Sequence, residues 1–117
     1  MPTKIHMTDD LMTVQLSGEI DHHNSQKIRE DIDGRAQREL PQTLVLDFGG
    51  VEFMDSSGIG LVLGRYRLMQ DLGGSLRLEN VPLHIKKVMR VAGIENLCIT
   101  GKAEKKDKGG KCDENGK

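Results

Sequence analysis

The chain has 117 residues, 36% hydrophobic and 30% charged, with a formal net charge of −1; that length suits one domain around a single core. Its three aromatic residues (Phe48, Phe53, Tyr66) are 3% of the chain and there is no Trp. Base-stacking platforms and the basic excess of a phosphate-backbone binder are therefore both missing, and no direct nucleic-acid partner is expected.

Charge divides at Thr100. Residues 1–100 carry eleven Lys or Arg against fourteen Asp or Glu, a net of −3, and residues 101–117 carry six Lys against four acids, a net of +2. No apolar run approaches the ~18 residues of a membrane helix, and Met1-Pro2-Thr3-Lys4 has no apolar signal segment. Cys98 and Cys112 cannot make a disulfide framework for a domain of this size. A cytoplasmic protein with no membrane partner is expected.

In chain order, Met12, Val14 and Leu16 alternate with Thr13, Gln15 and Ser17, the period of a strand with one buried face. Ile5–Met7 is a candidate partner strand, with Thr8-Asp9-Asp10 as the turn. Ile28, Ile32, Ala36 and Leu40 recur every four residues and predict a helix over 24–39, weakened by Gly34 and stopped by Pro41. Leu44-Val45-Leu46-Asp47-Phe48 reads as a central strand covered on both faces, broken by Gly49-Gly50.

After Asp55-Ser56-Ser57-Gly58, helical spacing returns in Ile59, Val62, Leu63, Tyr66 and Met69, and Gly73-Gly74 ends it. Ser75–Glu79 alternates as a strand with Leu76 and Leu78 inward. Pro82 opens a third helix with core positions Ile85, Val88 and Met89; Gly93 closes it and 97–99 predicts a last short strand. Strands alternating with helices imply an α/β fold with a largely parallel sheet. From Gly101 the chain is Lys, Gly, Glu and Asp with only Ala103 and Cys112 apolar, so residues 1–100 form the domain and 101–117 a flexible polar tail.

Chemistry is most concentrated between Asp55 and Gly64, where a strand hands over to a helix. A phosphate loop would need Gly-Lys-Ser or Gly-Lys-Thr, and no Lys follows a glycine in that stretch. Gly58, Gly60 and Gly64 are one residue too widely spaced for a dinucleotide loop, and Asp55 stands where a hydrolase nucleophile elbow needs glycine. Adjacent His22 and His23 diverge by about 100° on a helix and cannot chelate one metal ion together; they read as exposed residues of a loop or helix start. Asp55, Ser56 and Ser57 suit helix capping. Gly60 and Gly64, four apart on one face, suit either close packing on the sheet or a shallow surface for a partner, and the residues alone leave both readings open.

The run Val45-Leu46-Asp47 … Phe53-Met54-Asp55-Ser56-Ser57-Gly58-Ile59-Gly60-Leu61-Val62-Leu63-Gly64-Arg65-Tyr66 closely resembles the STAS-domain anti-sigma factor antagonists, most of all the group acting on anti-sigma F factors of endospore-forming bacteria. Gly18-Glu19-Ile20-Asp21-His22-His23, Gly73-Gly74 and Arg90-Val91-Ala92-Gly93-Ile94 fit the same pattern. The resemblance implies a STAS-type mixed, largely parallel sheet of four or five strands with helices mainly on one face. It implies partner switching in sporulation: the unphosphorylated antagonist binds a dimeric anti-sigma factor that is also a serine kinase with its own bound nucleotide, and so frees the sigma factor. The kinase phosphorylates the second serine of Asp-Ser-Ser-Gly, here Ser57, and a metal-dependent, PP2C-type serine phosphatase reverses the change.

By the same resemblance Asp21, His22, His23, Asp55, Ser56, Ser57, Gly58, Ile59, Gly60 and Arg65 form the partner-binding set, and the antagonist is neither an enzyme nor dependent on a cofactor. A STAS module of another partner-switching pathway, such as a stress response, is the alternative, and the Leu63-Gly64-Arg65-Tyr66 continuation argues against it. One departure is clear: family members usually end in an apolar amphipathic helix, and residues 101–117 contain nothing to make one.

Overall fold

The alternating segments at the N-terminus pair as an antiparallel hairpin, β1 (Thr3–Thr8) and β2 (Leu11–Ile20), in a computed structural model that describes residues 3–94. Asp9 turns the chain with a left-handed φ of 54°. Helix α1 (His22–Glu39) follows, then β3 (Thr43–Met54), α2 (Ser56–Asp71), β4 (Ser75–Glu79) and α3 (Leu83–Val91). The strand order is β1-β2-β3-β4, antiparallel at β1/β2 and parallel elsewhere. This is the mixed, mostly parallel sheet expected, with four strands among the described residues. The strand predicted at 97–99 and the tail 101–117 lie outside them.

Register explains the core. Met12 stands opposite Leu44 and Leu44 opposite Leu76, while Val14, Leu46 and Leu78 form the next row. Side chains alternate across a strand, so these rows share one face, and all six residues are buried there with Ile28, Ile32 and Ala36 of α1, Val62 and Met69 of α2, and Ile85 and Met89 of α3. Rows on the opposite face run Thr13–Val45–Arg77 and Gln15–Asp47–Glu79. Burial on that face holds at Val45 and stops at half-buried Asp47, so the double coverage predicted for the central strand ends there. Of α3's predicted core positions, Ile85 and Met89 are buried and Val88 packs at the core's margin.

Two boundaries differ from expectation. Gly49-Gly50 does not break β3, which continues to Met54 beside β2 through register shifts at Gln15/Ser17 and Gly18/Glu19. A Cβ on Gly50 would come within 3.0 Å of the Ser17 Cβ and 3.1 Å of the Leu16 carbonyl oxygen. Glycine here allows a close strand approach at a bulge instead of ending the strand. Pairing with β4 does stop, at Asp47–Glu79. Helix α1 starts two residues early, because the Asp21 side chain accepts a hydrogen bond from the Asn24 N–H at 2.8 Å and caps the first turn.

Candidate functional site

The ends of β2 and β3 bring the two polar segments together. Ile20 pairs with Met54, so the residues that follow, Asp21 and Asp55, leave the same edge of the sheet, and the Asp55 N–H donates to the Ile20 carbonyl at 3.1 Å. Each aspartate then caps a helix, Asp21 for α1 and Asp55 for α2. Both helices consequently begin at the carboxyl edge of the parallel strands, where α/β sheets place their binding sites.

Asp55 Oδ1 accepts from the Ser57 N–H at 2.8 Å and from the Ser57 hydroxyl at 2.5 Å. These two hydrogen bonds, the hydroxyl's first, hold the Asp55 carboxyl below its ordinary range, with His22 a smaller contributor. Ser57 is half-buried, yet it lines an open groove of about 300 Å³ between the first turns of α1 and α2. Facing it across the groove are His22, Ser25, Gln26 and Arg29; Gly60 and Leu61 complete the α2 wall. The α1 residues are spaced i, i+3, i+4, i+7, one face of a helix.

Other members of the predicted set divide by burial. His22, His23, Ser56 and Gly60 are exposed, while Asp21, Asp55 and Ile59 are half-buried. Gly60 and Gly64 would each point an added Cβ into space with nothing within 4 Å among the described residues, so packing on the sheet does not require them, and α2 presents bare backbone on that side. Gly58 is the reverse: its Cβ would collide with the Met54 side chain and crowd Ile20 Cγ2 at 3.3 Å. Its place is beneath the surface.

Arg65 also lies away from the surface. Its side chain is 6% exposed, and its Nε stands 2.8 Å from Asp33 Oδ1 of α1, out of hydrogen-bond alignment. Its Nη2 donates to Asp33 Oδ2 at 3.2 Å and its Nη1 to the Leu61 carbonyl at 3.3 Å. Arg65 therefore joins the two helices below the groove. Sequence reasoning missed Ser25, Gln26, Arg29 and Asp33. The signal was a polar row at 22, 25/26, 29 and 33 beside the apolar row 28, 32, 36 on the same helix.

Among the described residues no group of three or more His, Cys, Asp or Glu is placed to hold a metal ion, and no helix is long and apolar enough to cross a membrane.

A sequence model of the STAS domain matches residues 3–106. The chain belongs to the STAS domain family. Within it the chain groups with the anti-sigma factor antagonists. It is 37% identical over 84 residues to the anti-sigma F factor antagonist of Paenibacillus polymyxa, covering 72% of each chain. Identity to the anti-sigma-B factor antagonist of Bacillus subtilis is 27% over 101 residues, 86% of this chain and 91% of that one. The unphosphorylated anti-sigma factor antagonist SpoIIAA superposes with a TM-score of 0.75 at 31% identity, over 84% of this chain and 85% of SpoIIAA. The phosphorylated form of Bacillus SpoIIAA superposes with a TM-score of 0.69 at 32% identity, over 84% and 88%.

Proposed function

We propose that this STAS domain, unphosphorylated, binds an anti-sigma factor that is also a serine kinase and thereby frees a sporulation sigma factor, and that phosphorylation of Ser57 turns the binding off. The observation carrying this reading is the placement of the Ser57 hydroxyl at the mouth of an open groove on the first turn of α2, beside exposed Ser56 and Gly60. In the kinase reaction the Ser57 oxygen bonds to the γ-phosphorus of ATP, the bond from that phosphorus to ADP breaks, and the hydroxyl proton is lost. A PP2C-type phosphatase hydrolyses the ester and restores the hydroxyl. The partner surface comprises the caps Asp21 and Asp55, the first turns with His22, His23, Ser56, Ser57 and Ile59, and bare Gly60; Gly58 and Arg65 support it from below. The domain itself supplies no catalysis and works in the cytoplasm.

Electrostatics suits a switch that leaves the fold intact. A phosphate adds about −1.5 to −2 charges at a helix N-terminus, where the dipole and free N–H groups favour an anion. Repulsion between exposed charges about 4 Å apart in water is only ~1 kcal/mol, whereas moving a population from 1:99 to 99:1 takes ~5.5 kcal/mol. Desolvation of the dianion against the partner supplies the difference.

Incubation with a cognate anti-sigma kinase and ATP, followed by phosphosite mapping, tests the reading: modification at Ser57, its absence in Ser57→Ala with binding retained, and loss of binding in Ser57→Asp are expected. Undiminished binding of Ser57→Asp refutes the switch. The likeness to the sigma-B antagonist favours a second reading, service in a stress-response pathway, and pull-down against sporulation and stress kinases separates the two.

A further inference from the structure

The α1/α2 groove has a chemical bias that partner binding does not explain. One wall is Ser57 with bare Gly60 and Leu61; the other presents His22, Ser25, Gln26 and Arg29 from one face of α1. Each of those side chains can donate a hydrogen bond, although the Ser25 hydroxyl now donates to the His22 carbonyl at 3.4 Å and the Gln26 amide to Glu30 Oε2 at 3.3 Å, so both would have to exchange partners. Arg29 is a permanent cation with a planar fork that matches phosphate oxygens. At about 300 Å³, against the ~30 Å³ that a water occupies in the liquid, the groove has room for a phosphoryl group and several waters.

We propose that the phosphoryl group of modified Ser57 is received by its own domain in this groove, with Arg29 pairing its oxygens and Ser25, Gln26 and His22 as further donors. The inference rests on the reading of Ser57 as the phosphorylated residue and adds where the phosphate goes. Esterification removes the hydroxyl hydrogen that Ser57 donates to Asp55 Oδ1. What was a hydrogen bond becomes a contact between a carboxylate and a dianion, which favours turning the phosphoryl group away from Asp55, and the open groove that Ser57 lines, whose lining does not include Asp55, is available to it. Arg29 is exposed on the groove face of α1, and Asp33, one turn further along, is paired with Arg65, which leaves the Arg29 guanidinium without an ion-pair partner among the described residues. The ionisable groups around the phosphate are then His22 and Arg29 of α1, Glu30 through its bond to Gln26, and the Asp55 cap of α2, with the Asp33–Arg65 pair lying deeper. To bind the phosphorylated chain, a partner would have to pull the phosphate off Arg29.

The test uses the full chain with phosphoserine installed at position 57 by genetic encoding, so no kinase is needed and failure here is distinct from failure of the phosphorylation reading. Titration by ³¹P NMR is expected to give a second phosphate pKa about one unit below that of a phosphoserine peptide in the same buffer. Arg29→Met removes most of that difference, Arg29→Lys keeps part of it, His22→Gln isolates the imidazole contribution, and Arg67→Met, ten residues along α2, leaves it unchanged. A wild-type value equal to the peptide's overturns the proposal whatever the variants do, and so does a depressed value that Arg29→Met leaves in place.

Discussion

The carboxylate of Asp55 takes two hydrogen bonds from one neighbour, the backbone N–H and the hydroxyl of Ser57, so the cap of α2 and the orientation of its serine are a single arrangement. Asp55→Ala removes both. The expected result is a melting temperature lower by a few degrees and a Ser57 hydroxyl free to rotate, which under the proposed function reads as slower phosphorylation by an anti-sigma kinase. The sign with pH follows from the depressed carboxyl. A group whose native pKa lies below the ordinary aspartate value of 3.8 adds stability above that value and loses it as pH falls through the native one. Thermal melts between pH 5 and 2 (a range on the order of the usual acid transition) therefore show a steeper loss in the wild type than in Asp55→Asn, which cannot titrate; parallel curves would count against the cap. Ser56 shows how local the effect is: one residue earlier and exposed, it has no comparable bond to Asp55.

At the scale of elements, α1 and α2 are joined by an ion pair whose two ends differ. Arg65 is 6% exposed and Asp33 31%, and burial pushes the Asp33 carboxyl up even though Arg65 and Arg29 pull it down. Removing the outer partner strands a buried cation, and removing the inner one leaves a carboxylate that still reaches water. Breaking a buried pair from one side costs about 3–5 kcal/mol; partial exposure places Asp33→Ala near 3 kcal/mol and Arg65→Met lower, about 1–2 kcal/mol. Urea denaturation of both variants checks the order, and equal costs would mean the pair is more open than described. The pair also explains what was legible in sequence. Apolar rows located α1 and α2, because burying Ile28, Ile32, Val62 and Met69 depends on helical period alone, but their members Leu40, the left-handed cap after α1, and Leu63 are exposed. Arg65 went to the partner surface because its mate lies 32 residues away on another helix. Gly49-Gly50 misled for a related reason: whether a glycine pair ends a strand or admits a bulge depends on the neighbouring strand, here β2.

For the whole molecule, the arrangement sets stability against exposure. Parallel strands deliver both caps to one edge, and α2 leaves that edge with glycines at 60 and 64 where none of the described residues fills the space above them. Glycine inside a helix costs about 1 kcal/mol relative to alanine, and the packing of this domain gains nothing in return. The sheet alone would be better served by alanine at both places. An interface is different, since a bare backbone lets another surface approach and any side chain holds it off. Gly60→Ala is thus expected to raise the free energy of unfolding by about 1 kcal/mol, while Gly60→Arg, of normal fold by circular dichroism, weakens binding to the anti-sigma partner at least tenfold, about 1.4 kcal/mol. Denaturation and calorimetry on the same two proteins read both quantities. If Gly60→Arg binds as the wild type does, the partner does not rest on this face of α2, and the glycine's cost in stability has some other cause.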